Sequence, residues 1–459
     1  VTQTPPYQVI DPATAEVVQT FPYATDADIA AALGAAAAAF ESWRTFPLAE
    51  RAAIVKRVGA LFTERASELG ALVTREMGKR PSSARDEASY CSTIFDYYTD
   101  HGPALLADRP LPGRDGARIQ HLPIGPLLGV MPWNYPYSQV ARFAAPNLLA
   151  GNTIVVKHAE NCPTSALAIA DLMREAGVPD GVYVNLFATH EQVATMVADP
   201  RVRGISLTGS ERAGATVAEA AGRHLKKVVL ELGGSDAYII LDTDDVATAA
   251  EQAWATRMAN VGQACNSNKR IIVMDDIFED FVATLVKQAS AMTPRMPGDD
   301  SDKSYSPMVS RKAAETLLAQ VHDAVAKGAT LHIGGELCSE QGAYFAPAVL
   351  TGVTPRMRVY HEELFGPVAV VYEVSSDHEA VALANAVEFG LGGAVFSTDE
   401  ERAAKVAAQL DVGMASVNAP ACEGPDVPFG GTKRSGFGRE LGPIGIYEFV
   451  NKRLFYVQR

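Results

Sequence analysis

Apolar and polar positions change their period partway along the chain. Through the first hundred residues apolar side chains recur at helical spacing, over residues 47–79 and again over about 84–99. Thr25-Asp26-Ala27-Asp28 has the form of a capping box opening an Ala-rich helix. From 127 to 241 the period shortens. Compact β-branched runs at 127–131, 153–157, 182–186, 204–207 and 228–230 alternate with helix-like stretches at 137–149, 165–175, 191–198 and 213–222. Such alternation predicts a doubly wound parallel sheet, whose ligands sit at the carboxyl ends of its strands. A second α/β set runs from about 237 to 418, with strands near 270–273, 368–372 and 414–417. Its helices fall near 246–258, 278–291, 312–327 and 401–410. Two segments stand apart. Residues 107–123 have the pattern of a hairpin, and the tail 447–459 ends in an alternating strand that needs a partner, in another subunit if not in its own. The expected architecture is two doubly wound α/β domains plus a small β arm. Residues 1–106, 124–230 and 430–446 make the first domain, 231–429 the second, and 107–123 with 447–459 the arm.

Length agrees with that division, because single cores stop growing near ~250–300 residues and this chain has 459. A net charge of -14 works against nucleic acid or an anionic membrane as a main partner. Phosphates remain possible, since backbone N–H groups at a helix start can hold them on an acidic protein. No apolar run approaches the ~20 residues of a membrane span, and residues 1–22 lack the pattern of a signal peptide. Five scattered cysteines make no disulfide framework and fit a reducing cytoplasm.

Several loops carry candidate chemistry. Cys265 sits in Asn260-Val261-Gly262-Gln263-Ala264-Cys265-Asn266-Ser267, between a helix and a strand. A lone cysteine is more often a small buried hydrophobe, but a Gly-containing loop can expose its sulfur as a nucleophile. Cys91, Cys162, Cys338 and Cys422 lack that setting and read as structural. Glu231 closes an apolar strand before Leu232-Gly233-Gly234, where burial would make it a general base; a capping or ion-paired carboxylate is the other reading. Trp133-Asn134 leaves another strand, and the Asn134 amide suits either an Asx-turn or an oxyanion hole. Lys157 and Glu160 share one strand-exit loop, as a ribose site or a solvated pair. Thr208-Gly209-Ser210-Glu211-Arg212-Ala213-Gly214 joins strand to helix, where Ser210 and the following N–H groups suit a pyrophosphate. It is not the G-x-G-x-x-G fingerprint, and no zinc-ligand spacing or G-x-S-x-G elbow appears.

Taken together, the order and spacing of these motifs resemble the aldehyde dehydrogenase superfamily over essentially the whole length. The resemblance rests on Pro132-Trp133-Asn134-Tyr135-Pro136, Lys157 and Glu160, Gly209-Ser210, Glu231-Leu232-Gly233-Gly234, Gly262-Gln263-Ala264-Cys265, Glu363-Leu364-Phe365-Gly366-Pro367 and Pro428-Phe429-Gly430-Gly431. It implies a Rossmann-like NAD-binding first domain, a catalytic second domain and an arm that joins subunits into a homodimer or homotetramer. It implies oxidation of a small-molecule aldehyde to its acid through a thiohemiacetal and thioester on Cys265. Asn134 would hold the oxyanion and Glu231 would activate water. Trp133, Lys157, Glu160, Gly209, Ser210, Gly214, Leu232, Glu363 and Phe365 would bind the cofactor. Glu160 favours NAD over NADP, because its carboxylate would repel a 2′-phosphate. Glu440 is a lesser candidate, as a relay or second base. Within the superfamily the chain looks like the short bacterial succinate-semialdehyde dehydrogenases, with Arg142 matching their carboxylate-binding arginine or serving as a structural ion pair. The loop 418–428 departs from that group: it lacks the expected serine and offers Glu423 and Asp426. An uncharged or amino-bearing aldehyde is therefore a second expectation. A CoA-acylating enzyme and a non-catalytic relative are further alternatives, against which Glu231 and the intact Cys265, Glu231 and Asn134 set respectively count.

Overall fold

A computed structural model describes residues 7–296 and 298–458. Two parallel sheets dominate it. The first has the strand order Gly436–Phe437, Lys227–Glu231, Gly204–Thr208, Pro126–Val130, Thr153–Lys157, Tyr183–Asn185. All neighbours are parallel except Gly436–Phe437, which returns from far along the chain to pair antiparallel with Lys227–Glu231. The chain leaves Pro126–Val130 toward one edge and later resumes at Gly204–Thr208 on its other side, so the topological switch point lies between these two strands. A doubly wound sheet opens its ligand crevice there.

The second sheet runs Thr330–Ile333, Ala348–Thr351, Val368–Val374, Arg270–Met274, Ala237–Ile240, Gly392–Phe396, Met414–Val417. Only the edge strand Thr330–Ile333 is antiparallel. Central strands of both sheets are buried on both faces, which explains their unbroken apolar runs: Thr153–Lys157 and Gly204–Thr208 are buried at every position. Four strands of this sheet (Ala237–Ile240, Thr330–Ile333, Ala348–Thr351, Gly392–Phe396) lack a marker that the sequence pattern alone isolates. Gly392–Phe396 contains two glycines, and Ala237–Ile240 is only four residues long.

At the N-terminal end the helical expectation needs correction. Tyr7–Ile10 and Val17–Phe21 form an antiparallel hairpin ahead of the first helix. The Thr25 capping box is present at the start of Asp26–Trp43. The single helix expected over 47–79 is two, Leu48–Glu64 and Ala66–Met77, joined at Arg65. The hairpin expected in 107–123 is there as Arg109–Pro110 against Ala117–Pro123. The C-terminal strand Val450–Tyr456 pairs antiparallel with Ala117–Pro123 of its own chain over seven residue pairs. Its first partner is therefore within the chain rather than in another subunit, and no strand among the described residues pairs with its far edge.

Candidate active site

The loop bearing Cys265 starts where the helix Val246–Met258 gives way to a turn with Asn260, Val261 and Gly262 all at positive φ, 49°, 55° and 70°. A β-branched residue in that region stores about 1–3 kcal/mol of strain and persists only where surroundings enforce it. Arg257 does the enforcing. Fully buried, its guanidinium donates to the carbonyls of Gly262 (3.3 Å), Leu364 (2.8 Å), Gly366 (2.7 Å) and Val368 (2.8 Å) and to Ser267 Oγ (2.8 Å). A Cβ at Gly262 would lie 2.3 Å from Gly366 O, so no side chain fits there. Gln263 Oε1 accepts the Val309 N–H at 2.9 Å and fixes the loop from a third side. On this support Cys265 is partly exposed, unlike the sealed Cys91 and Cys162. Desolvation pushes its thiol up to about 11; Arg142 and Lys269 pull it down, while Glu363 and Asp236 add to the rise.

Asn134 meets the same loop. Its Nδ2 donates to Gln263 O at 3.1 Å, and Asn260 Nδ2 donates to Asn134 O at 3.1 Å. An amide nitrogen has two N–H groups, so the bond that orients Asn134 leaves a donor for a ligand.

Glu231 ends Lys227–Glu231 at 2% exposure, and neither carboxylate oxygen has a hydrogen-bond partner. A buried, unpartnered carboxylate is costly unless protonated or in use. Burial raises its pKa well above the usual carboxylate range and Glu440 raises it further; Arg142 and Arg439 pull it back. Gly430 closes over it: at φ 147°, its Cβ would sit 2.6 Å from Glu231 Oε1.

Arg142 projects from Ser138–Ala150, a helix buried along its entire length. Its Nε donates to Glu440 Oε2 at 2.8 Å, and Ser206 Oγ donates to Glu440 Oε1 at 3.3 Å. The guanidinium lies 4.3 Å from the Phe429 ring centroid. So the ion pair exists, but it does not consume the residue, because buried Nη2 has no partner. Burial lowers the pKa of Arg142, and Glu440, Glu231 and Cys265 more than restore it, so its charge is coupled to all three. At the rim, Asn266 Nδ2 donates to Glu423 Oε1 at 3.3 Å, tying the loop 418–428 to the residue after Cys265.

The carboxyl edge of the first sheet supplies the other half of the crevice. Lys157 is buried at the end of its strand and its Nζ lies 2.9 Å from Glu160 Oε1; His190 Nε2 is 3.6 Å from the same oxygen. Ser210 caps the helix Glu211–Arg223, accepting the Ala213 N–H at 3.3 Å, and Gly209 N–H donates to Glu231 O at 3.0 Å. A Cβ at Gly214 would meet Leu232 Cδ2 at 2.5 Å, so these two pack that helix close to the sheet. Glu363 Oε1 accepts the Gly234 N–H at 3.0 Å, and Trp133 meets Phe365 edge to face at 5.6 Å between centroids. The orphaned buried atoms Asn161 Nδ2, Asn185 Oδ1 and Thr208 Oγ1 belong to residues that end or follow three strands of this edge. A helix N-terminus, a carboxylate beside a lysine and unsatisfied polar atoms at a switch point fit an adenine dinucleotide.

Sequence inspection missed Arg257, Ser206, Lys269, Asn161, Asn185 and Gln263 as contributors. For Arg257 the available signal was a charge within an Ala-rich helix; Lys269, among polar neighbours, offered none. Cys338 and Cys422, grouped with the structural cysteines, are exposed instead. Among the described residues there is no His, Cys, Asp and Glu group that could hold a metal ion.

Two largely parallel sheets, a partly exposed thiol on a pinned loop and a buried carboxylate without a partner describe an α/β protein equipped for chemistry. The chain belongs to the aldehyde dehydrogenase family, whose model, described as aldehyde dehydrogenase family, matches residues 1–454. Among its relatives, one named succinate-semialdehyde dehydrogenase, NADP(+), from Deinococcus radiodurans is 51% identical over 450 residues, covering 98% of this chain and 94% of that one. A succinate semialdehyde dehydrogenase, NAD(P)+, from Escherichia coli is 40% identical over 451 residues, covering 98% and 97%. The solved succinic semialdehyde dehydrogenase from Streptococcus pyogenes, in complex with NADP+, superposes with a TM-score of 0.95 at 40% identity, covering 99% of this chain and 100% of that one.

Proposed function

We propose that this enzyme oxidises succinate semialdehyde, or a close carboxylated semialdehyde, to the acid, with Cys265 as nucleophile and Glu231 as base. The observation that carries this is Arg142, a buried arginine bonded through Nε to Glu440 with Nη2 left unpartnered, whose charge is coupled to Cys265 and Glu231. The names of the relatives agree with it. The Cys265 thiol gives its proton to solvent and the thiolate adds to the aldehyde carbon, and the free Asn134 N–H with the Cys265 backbone N–H takes the oxyanion. Such a donor is worth ~10²–10³ in rate. A nicotinamide held at this edge would accept the hydride that the hemiacetal loses, which leaves a thioester on Cys265. Glu231 then takes a proton from water as the oxygen attacks that thioester, and the acid leaves.

The cofactor reading follows the same edge. Trp133, Lys157, Glu160, Gly209, Ser210, Gly214, Leu232, Glu363 and Phe365 form the dinucleotide site, with residues 1–106, 124–230 and 430–446 as its domain and 231–429 as the catalytic one. Glu160 supports NAD over NADP by at least tenfold in kcat/KM, about 1.4 kcal/mol. Against it stand the NADP named for two of the relatives and the cations Lys157 and His190 beside that carboxylate. The five cysteines form no disulfide, which suits a reducing compartment such as the cytoplasm.

One observation favours a second reading. Glu423, held by Asn266 next to the nucleophile, puts a negative charge at the mouth of the site, where an amino-bearing aldehyde would gain. A steady-state screen decides: kcat/KM for succinate semialdehyde should exceed that for uncharged and amino-bearing aldehydes and fall at least tenfold in Arg142→Ala. Preference for an amine-bearing aldehyde, unchanged by Arg142→Ala, rejects the carboxylate reading. The same assay run with NADP tests the cofactor reading.

A further inference from the structure

The loop 418–428 has Glu423 and Asp426 where the resemblance to succinate-semialdehyde dehydrogenases leads one to expect a serine. That loop is held in place. Asn266 Nδ2 donates to Glu423 Oε1 at 3.3 Å, next to the nucleophile, and Gly442 N–H donates to Pro425 O at 2.9 Å. Phe429, just beyond the loop, exchanges backbone hydrogen bonds with Glu440 at 2.7 and 2.9 Å. The Phe429 ring centroid is 4.3 Å from the Arg142 guanidinium. The stretch 423–429 thus runs from a carboxylate beside the Cys265 loop to the aromatic ring against Arg142. Asp426 folds back along it, since a Cβ on Gly424 would stand 2.5 Å from Asp426 Oδ1.

The two ends of this stretch ask for opposite charges. Arg142 is buried, spends Nε on Glu440 and leaves Nη2 without an acceptor. A buried guanidinium nitrogen in that state favours a carboxylate ligand. Glu423 and Asp426 are exposed acceptors and favour an ammonium. Tyr90 registers both ends: burial raises its phenol pKa, Arg142 pulls it down, and Glu423, Cys91 and Asp426 push it up. An aldehyde with a carboxylate alone satisfies Nη2 but brings a like charge toward Glu423. One with an ammonium alone satisfies Glu423 and is repelled by the guanidinium. A molecule bearing both charges meets both demands.

We propose that the preferred substrate is the semialdehyde of an α-amino acid, with its carboxylate on Arg142 and its ammonium toward Glu423. This deepens the carboxylated-semialdehyde reading above and rests on Arg142 as the carboxylate ligand. Glu423 is then a specificity-determining residue, and the product is an α-amino dicarboxylic acid. Aldehydes with an amine but no carboxylate remain poor substrates.

The matched probes are succinate semialdehyde and aspartate semialdehyde, which differ by one ammonium beside the carboxylate. Steady-state kcat/KM is measured for both in the full-length enzyme with NAD. Each value is divided by that for butanal in the same variant, so that effects common to all aldehydes cancel. Wild type should favour aspartate semialdehyde by about tenfold, and Glu423→Gln should bring the ratio near one. Glu423→Lys should carry it below one. A wild-type ratio at or below one, or a ratio that both Glu423 variants leave in place, overturns the proposal. Arg142→Ala separates the two layers. If it leaves both carboxylated probes at their wild-type values, the carboxylate reading fails and this inference with it. If it lowers both about tenfold while the Glu423 variants change nothing, only the ammonium subsite is rejected. Calorimetry with the product acids gives a readout without turnover. Aspartate should bind wild type about tenfold more tightly than succinate and lose that advantage in Glu423→Gln; equal Kd values in wild type reject the ammonium subsite.

Discussion

At the scale of single residues, the site is a set of charges that burial holds away from their ordinary protonation states. The Cys265 thiol is pushed up to about 11 by desolvation, so its reactive anion is scarce at neutral pH in the cofactor-free enzyme. Alkylation of that enzyme should then climb about tenfold per pH unit from 7 to 10; a plateau below pH 9 contradicts this. Glu231 is also raised, and for a carboxylate that means the proton is held as pH rises from the usual range until the higher pKa is passed. Water activation needs the ionised form, so turnover should increase with pH through that raised value. Glu231→Gln should remove this dependence and lower kcat by roughly 10²–10⁴. Retention of wild-type kcat would exclude Glu231 as the base. Neither residue stood out alone in the sequence: Cys265 lies in a Gly-containing loop and Glu231 closes an apolar strand before two glycines, and only their order and spacing with the other motifs singled them out as candidates. Lys269 was not singled out: it is one residue before an apolar strand, and only the fold brings Glu363 to it.

At the scale of elements, the crevice is assembled by loops whose backbone conformation only certain residues tolerate. The segment around Phe429 and Glu440, joined by a bridge between them, carries Gly430 at φ 147° against Glu231. Gly430→Ala would force a Cβ into a backbone region that side chains avoid and into 2.6 Å contact with the Glu231 carboxylate. We expect a loss of about 1–3 kcal/mol in stability from the backbone alone. The displaced carboxylate should also cut the hydrolytic step, read as a slower steady state after an undiminished first burst of NAD reduction. A variant with wild-type melting temperature and no such slowing would show that the loop yields freely. Elements of this kind also explain where sequence patterns succeed. Thr153–Lys157 and Gly204–Thr208, buried on both faces, announce themselves as apolar runs bounded by turns. Gly392–Phe396 does not, because its glycines lie against Asp236 and Leu410, a contact visible only in three dimensions. The Tyr7–Ile10 and Val17–Phe21 hairpin was hidden for a similar reason: its second strand is largely exposed and shows no apolar alternation.

At the scale of the whole molecule, the unresolved demand is the arm. Val450–Tyr456 satisfies one edge by pairing with Ala117–Pro123, and among the described residues no strand pairs with the other. Along it Leu454 and Tyr456 are 60% and 58% exposed. An open strand carrying apolar side chains invites another chain unless charge or a covering element prevents it. Lys452 and Arg453 lie on the strand, but Arg453 already donates to Gln120 within the arm, which leaves little to repel a partner. A second copy of this chain is the occupant we expect, since the same edge on two molecules can be buried by one symmetric contact. The wild type should then have a solution mass of at least two 48.8 kDa chains by light scattering. Leu454→Glu with Tyr456→Glu should shift it toward one chain, because two charges would have to be buried at the contact while the in-chain pairing with Ala117–Pro123 needs only backbone groups. An unaltered oligomer in that double variant would move the subunit contact elsewhere, and a monomeric wild type would remove the arm's role altogether.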